Sequence, residues 1–331
     1  TILVKKVILA NIFIINIIIL ILETIIRLSG YVGLQGYDKN IFFKENNIVL
    51  SEPNKVFTVF GKKSKTDENG FRVPLNDFSY NNSDNFYLIL GDSVTYGVGV
   101  KEEDSFVGIL RKKNKNLLNT AISGHNLESY LYILKKNTAK FENNIEKVVI
   151  FLCLNDAVSH QGVIVKEKQN KSNPKKNFFE NYIKNDFILR TNIFLRERSY
   201  LFVYIKSIFS NPIERHYKYM NILYKNDDNL IKFQNNINQI NEFSQKNNLE
   251  IKFVLLPYAH QIRNNCEKRF TKPQNEINKI FNSLSLNLYD YTNNFCKKTN
   301  KNDLFLPYDP VHLSKDGHKY VSELLINDKI F

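Results

Sequence analysis

Cysteine is scarce in this 331-residue chain, limited to Cys153, Cys266 and Cys296. Three thiols cannot staple a small disulfide scaffold, and with no C-x-x-C pair or His/Cys cluster the chain offers no metal site and implies no cofactor. Tryptophan is absent, while Lys, Asn and Ile crowd nearly every segment. The formal charge of +13 therefore reads as a drift of the whole composition. No Arg stripe, basic helix or RNP-type motif concentrates it into a nucleic-acid face, so nucleic acid is not among the expected partners. The chain shows no internal repeat. Its 43% hydrophobic and 24% charged content excludes wholesale disorder and suits one large domain with appended elements.

One strongly apolar run is present, VILANIFIINIIILIL at residues 7–22, preceded by Lys5 and Lys6. It falls slightly short of the ~20 residues that span a bilayer, although Ile25 and Ile26 extend it past Glu23 if that carboxylate sits at the interface. Its β-branched residues carry no polar stripe, unlike a globular surface helix. The run exceeds a typical signal-peptide core and no A-x-A-like site follows, which favours an uncleaved signal anchor over residues 1–28. Lysines ahead of the run place the N-terminus inside. The rest is then expected on the extracytoplasmic, periplasmic side of the cell membrane, held by a single pass. An exported chain can pair Cys266 with Cys296 and leave Cys153 as a buried thiol, although spacing alone does not establish the bond.

Residues 29–84 form an Asn-, Lys- and Gly-rich juxtamembrane segment with a turn at Glu68-Asn69-Gly70. From residue 85 to 331 short apolar runs alternate with helical patterns. Strands are predicted at 86–90, 117–122, 147–154, 251–256 and 286–289, and helix faces at Phe106/Ile109/Leu110, at Leu127/Tyr130/Leu131/Leu134, near 228–248, after Pro273 and after Ser314. An insertion at about 157–227, polar at first and then aromatic-rich at 200–209, interrupts the rhythm. Five strands separated by helices predict an open, doubly wound α/β domain with its site at the carboxyl ends of the strands.

Four such places carry chemistry. The first strand runs into Gly91-Asp92-Ser93, the second ends in Ser123-Gly124-His125, and the third ends in Asn155-Asp156. After the fifth comes Asp309-Pro310-Val311-His312. A serine hydroxyl is a weak nucleophile that needs a base. His312 can supply it, with Asp309 three residues earlier to fix the imidazole tautomer. A tetrahedral intermediate also needs preorganised donors. The Ser93 and Gly124 N–H groups and the Asn155 side-chain amide are the candidates. Each signal alone is an ordinary turn or cap, but the four occur together, in order, at the ends of predicted strands or just before the last helix.

These blocks resemble the SGNH (GDSL-type) hydrolase family: GDSVTYG carries Ser93, ISGHN carries Gly124, LCLND carries Asn155 and DPVHLSKDGH carries Asp309 and His312. The resemblance covers about residues 86–156 and 251–331. It implies a three-layer α/β/α sandwich with a five-stranded parallel sheet, of flavodoxin-like type, plus the N-terminal transmembrane helix. It implies Ser93, Asp309 and His312 as catalytic residues and Ser93, Gly124 and Asn155 as the oxyanion hole. One departure is Cys153, at a position where the family usually has glycine. With its anchor and the stretch Glu68 to Arg72, the chain is similar to bacterial members, some of which resemble proteins that O-acetylate exported polysaccharides. The implied substrate is an acylated carbohydrate or small ester. The expected reaction is hydrolysis of an O-acyl ester through an acyl-serine intermediate, and the alternatives are transfer of the acyl group to an exported polysaccharide or a catalytically silent glycan-binding module. His260, after the fourth strand, is a possible substrate-binding residue, His125 and His160 lie near strand ends, and His318 falls in the last helix.

Overall fold

A computed structural model of the chain describes residues 2–38, 41–81, 85–113, 116–141, 144–157 and 186–331. The first part of the 157–227 insertion, with His160, lies outside the described residues. The chain divides into two compact units, residues 1–37 with 168–211 and residues 38–167 with 212–331.

In the larger unit the juxtamembrane stretch is more regular than its composition predicts. Strands β1 (Phe42–Glu45) and β2 (Ile48–Ser51) pair antiparallel across Asn46 and Asn47. Both asparagines have positive φ, at 51° and 65°, the backbone of a tight hairpin turn that Asn tolerates. Strands β3 (Val56–Val59), β4 (Lys62–Thr66) and β5 (Arg72–Val73) form a second small antiparallel sheet. The β4 sequence KKSKT shows no apolar alternation, the usual sign of a strand.

The main sheet follows the predicted runs: β6 (Phe86–Leu90), β7 (Leu117–Asn119), β8 (Ile145–Leu152), β9 (Glu250–Leu255) and β10 (Leu288–Asp290). All pairings are parallel, in the order β10-β9-β8-β6-β7. This is the flavodoxin-like order, whose topological switch point lies between the first and third strands. Central β8 is covered on both faces, and Val148 through Leu152 are fully buried. At about 2 kcal/mol per buried aliphatic side chain, this strand is a principal source of cohesion.

Helices lie on both sides of the sheet. Leu127–Phe141 packs on β6, β8 and helix Asp227–Lys246, which in turn meets Lys272–Ser283. Phe106–Arg111 packs with Lys315–Asn327. The helix Asp227–Lys246 shows why these segments fold so. Its cap Asn226 accepts from the Asn229 N–H, two aspartates occupy its first turn, and Phe233, Ile237, Ile240 and Ser244 form one buried stripe. Cys266 and Cys296 form a disulfide with Cα atoms 6.1 Å apart, and Cys153 is a buried thiol.

The smaller unit contains helix Ile2–Ser29, whose stretch Val4–Ser29 is long and apolar enough to cross a membrane and is buried nowhere. Helices Asp186–Arg198 and Tyr200–Phe209 belong to the same unit. The aromatic-rich part of the insertion is therefore grouped with the apolar N-terminal helix.

Candidate active site

At the switch point, β6 ends and the chain turns at once into the short helix Ser93–Tyr96. Asp92 caps it by accepting from the Val94 N–H at 2.9 Å. Ser93 is the first residue of that helix, so its N–H has no acceptor within the helix. Gly97 ends the helix at φ 85°, a left-handed backbone that suits glycine. A Cβ there would also crowd the Arg72 guanidinium at 2.7 Å.

Arg72 organises this corner. Fully buried at the end of the small sheet, it donates to the carbonyls of Tyr96, Gly97 (2.8 Å) and Val100 (2.7 Å), so one planar fork fixes the loop behind Ser93. Arg111 backs it up. Paired with buried Glu102, it donates to the carbonyls of Arg72 (3.2 Å) and Leu117 (2.8 Å), and burial pulls its pKa down to about 10.

The candidate base, His312, lies on the loop before helix Lys315–Asn327. His312 Nδ1 lies 2.8 Å from Asp309 Oδ2. The other carboxylate oxygen accepts the N–H groups of Val311 (2.9 Å) and His312 (2.7 Å), which locks the carboxylate plane. With Nδ1–H donated to Asp309, the assigned tautomer leaves the Nε2 lone pair as proton acceptor. Nε2 is buried and has no hydrogen-bond partner among the described residues. Burial pushes the imidazole pKa down, but the charge and hydrogen bond of Asp309, with a smaller contribution from Asp92, hold it above its ordinary value. Burial likewise raises the Asp309 pKa, and the His312 charge and bonds together with the Val311 N–H bring it below the usual carboxylate range. The loops that carry Ser93 and His312 touch: a Cβ at Gly99 would run into the Leu306 side chain, and Leu306 N–H donates to the His312 carbonyl at 2.9 Å.

Gly124 and Asn155 are the two further candidate donors. Gly124 takes the left-handed backbone (φ 85°) inside a turn closed by His125 N–H to the Ile122 carbonyl at 3.1 Å. Open space surrounds the position a Cβ would occupy. Asn155 follows β8, and its Nδ2 donates to Asp92 Oδ2 at 2.9 Å. An amide carries two N–H bonds, so the second remains available to an oxyanion. The amide is fixed at its other end, where the Tyr258 hydroxyl donates to Asn155 Oδ1 at 2.7 Å and accepts the Asn155 N–H at 3.1 Å.

Cys153, at the position where the motif resemblance leads one to expect glycine, sits in an ordinary backbone setting. It is not among the residues with left-handed backbone. Its N–H donates to Asp156 Oδ2 at 2.7 Å, and the Asp156 N–H returns to its carbonyl at 3.1 Å. Burial, together with the nearby charge of Asp92, pushes the Asp156 pKa well up, and Tyr130 donates to its other oxygen at 2.8 Å.

His260 lies on the short helix Ala259–Arg263, stacked on Tyr217 at 4.7 Å and meeting the Phe270 ring edge-on at 4.8 Å. The adjacent Tyr258 is the residue whose side chain reaches Asn155. His125 is buried and bonded to the Val49 carbonyl at 2.7 Å, and burial takes its pKa down to about 4. His318 packs against Phe106 in the core, and burial first, then the charges of Arg72 and His312, take its pKa down to about 3. Phe60 was not singled out in the sequence, yet its ring meets the His312 imidazole edge-on at 5.3 Å. It holds φ 47° at the β3–β4 turn, an uncommon backbone for a bulky residue.

No protein-family model and no curated protein matches the chain. Several solved structures are similar to it. A lipolytic protein of the G-D-S-L family from Desulfitobacterium hafniense is 13% identical with a TM-score of 0.40, over 72% of this chain and 97% of that one. The psychrotrophic esterase EstA from Pseudoalteromonas sp. is 16% identical with a TM-score of 0.41, over 74% and 96%. An acetyl xylan esterase is 15% identical with a TM-score of 0.42, over 73% and 99%.

Proposed function

We propose that the chain is a membrane-anchored serine esterase of SGNH type acting on O-acyl esters. The observation that carries this reading is the Asp309–His312 pair at 2.8 Å, with a buried, unpartnered Nε2 on a loop that touches the Ser93 loop. His312 Nε2 takes the Ser93 proton as Oγ bonds to the ester carbonyl carbon, and the carbonyl electrons move onto oxygen. The N–H groups of Ser93 and Gly124 and the free N–H of the Asn155 amide receive that oxyanion. Collapse of the intermediate breaks the bond to the alcohol, which leaves with the His312 proton. Water, deprotonated by the same imidazole, then cleaves the acyl-Ser93 ester.

Ser93 and His312 are each only 8% exposed. Such narrow access suits a small acyl group, and the motif resemblance makes an O-acetyl ester on a cell-surface glycan the substrate of choice. Lys5 and Lys6 ahead of the apolar run at 7–22 support a single pass with the catalytic unit on the periplasmic side, as does the Cys266–Cys296 disulfide. The test is covalent labelling by a fluorophosphonate, followed by product analysis with and without a glycan acceptor. Labelling of wild type and not of Ser93→Ala is expected, with free acid as product. Acylated acceptor in place of free acid would make the enzyme a transferase, and no labelling of wild type would remove the serine mechanism.

A further inference from the structure

Helix Tyr200–Phe209 leaves Ile205, Ile208 and Phe209 exposed, the last at 86%, and helix Asp186–Arg198 exposes Leu189 and Phe194. Large apolar side chains scattered singly are ordinary on a soluble surface, whereas clusters mark an interaction site. These sit together in a short helical hairpin that forms one unit with the apolar N-terminal helix.

The fastening is polar and specific. Glu23, the one acidic residue in the apolar helix, accepts the N–H groups of Tyr200 (3.0 Å) and Leu201 (2.9 Å) and the Ser199 hydroxyl (2.9 Å), with Arg27 at 3.7 Å. A carboxylate beside hydrocarbon is costly unless compensated. Here it is met by the positive end of a second helix. Arg27 lies over the Tyr200 ring at 5.0 Å, and the Tyr31 and Tyr204 rings meet at 5.7 Å. Arg196 is tied to Gln35 at 2.8 Å. Glu23 lies six residues before the end of its helix, about 9 Å along the axis at ~1.5 Å per residue. The start of Tyr200–Phe209 is therefore held at the edge of the apolar run, with the tyrosines and arginines typical of a membrane interface beside it.

We propose that the hairpin of Asp186–Arg198 and Tyr200–Phe209 is a second membrane element, lying in the headgroup region with Ile205, Ile208 and Phe209 among the acyl chains. The occupant of its apolar face is the lipid bilayer. That face belongs to the same unit as the exposed anchor helix and begins where Glu23 holds the two together, and ten residues are too few to cross. Exposed Arg190 and Arg198 on the neighbouring helix suit anionic headgroups. The inference rests on the anchor reading, which the experiment tests separately.

The full chain is placed in vesicles of phosphatidylcholine and phosphatidylglycerol, with an environment-sensitive thiol dye at Phe209→Cys or at Phe13→Cys. Labelled wild type is the blank for Cys153. Lipids brominated on their acyl chains are expected to quench both positions about two-fold, and aqueous iodide neither. Quenching by bromolipid at Phe13→Cys with iodide quenching at Phe209→Cys would overturn the hairpin inference and leave the anchor standing. The reverse pattern would uphold lipid contact by the hairpin and remove the spanning anchor. Shielding of Phe209→Cys from both quenchers would assign its face to a protein partner and overturn the proposal.

Discussion

Strand β8 and the N-terminal helix are written in the same aliphatic alphabet and meet opposite fates. Val148 through Leu152 are sealed from any solvent, whereas Ile8, Leu9, Phe13 and Leu20 are exposed by half or more. What separates the two is length and context. Eight residues bounded by turns become the centre of a parallel sheet, and 28 without a break become a helix that the chain meets only near its end. Their polar groups differ in the same way. Around β8, Asp92, Asn155 and Tyr258 are joined by hydrogen bonds at the proposed reaction site. In the apolar helix a single carboxylate, Glu23, secures a second helix. Substitutions in the first region should read out as chemistry, and substitutions in the second as attachment.

The largest effect is expected from Ser93→Ala, which should reduce p-nitrophenyl acetate hydrolysis about 10⁴-fold or more with membrane fractionation unchanged. Turnover near wild type would break the comparison at its root. Next is Asp309→Asn, with a loss of about 10³–10⁴-fold in kcat. Its sign with pH is set by the raised His312 pKa. The imidazole must be neutral to accept a proton, so wild-type kcat/KM falls as pH drops through that raised pKa. Removing the carboxylate charge lowers it, and the acid limb should move to lower pH. A pH–rate profile of both proteins on one soluble ester checks this, and an unmoved limb would take Asp309 out of the triad.

Asn155→Ala should cost about 10²–10³-fold in kcat if its amide donates to the oxyanion. An effect on KM alone would make Asn155 a substrate contact. Tyr258→Phe removes the donor that holds Asn155 Oδ1 and leaves the ring in place. A fall of about ten-fold in kcat at unchanged KM is expected from a misaligned amide. Kinetics identical to wild type would show that Asp92 alone orients Asn155.

Much of the catalytic unit was legible because its signals are local. Apolar runs of strand length gave the sheet, and short motifs mark Ser93, Gly124 and Asn155 after strands and Asp309 and His312 before the last helix. The resemblance also pointed at the stretch ending in Arg72, but nothing in the sequence said that its guanidinium would cap three carbonyls behind Ser93. Tyr258 and Phe60 were invisible for a related reason. Their roles depend on contacts 103 residues away to Asn155 and on the far side of a hairpin to His312. Residues 55–60 are legible as an extended piece that contains β3, but β4 was missed because it consists only of lysine, serine and threonine. The aromatic run 200–209 was legible as apolar, but a period-3.6 pattern cannot say whether its partner is a core, a substrate or the anchor.

The smallest effect concerns that last contact. Glu23→Gln keeps the shape of the side chain and removes the charge that meets the first turn of Tyr200–Phe209. A helix N-terminus loses about 0.3–1 kcal/mol with such a charge, or about two- to five-fold in the local opening equilibrium. Hydrogen exchange at the Tyr200 and Leu201 amides should therefore quicken by about that factor, while exchange in β8 and ester turnover stay as in wild type. Because Glu23 is far in sequence from every residue of the reaction, this variant separates the two regions most sharply. Slowed catalysis in Glu23→Gln would show that attachment and chemistry are coupled, and unchanged exchange at Tyr200 and Leu201 would mean that the hairpin is held by its apolar contacts and not by the carboxylate.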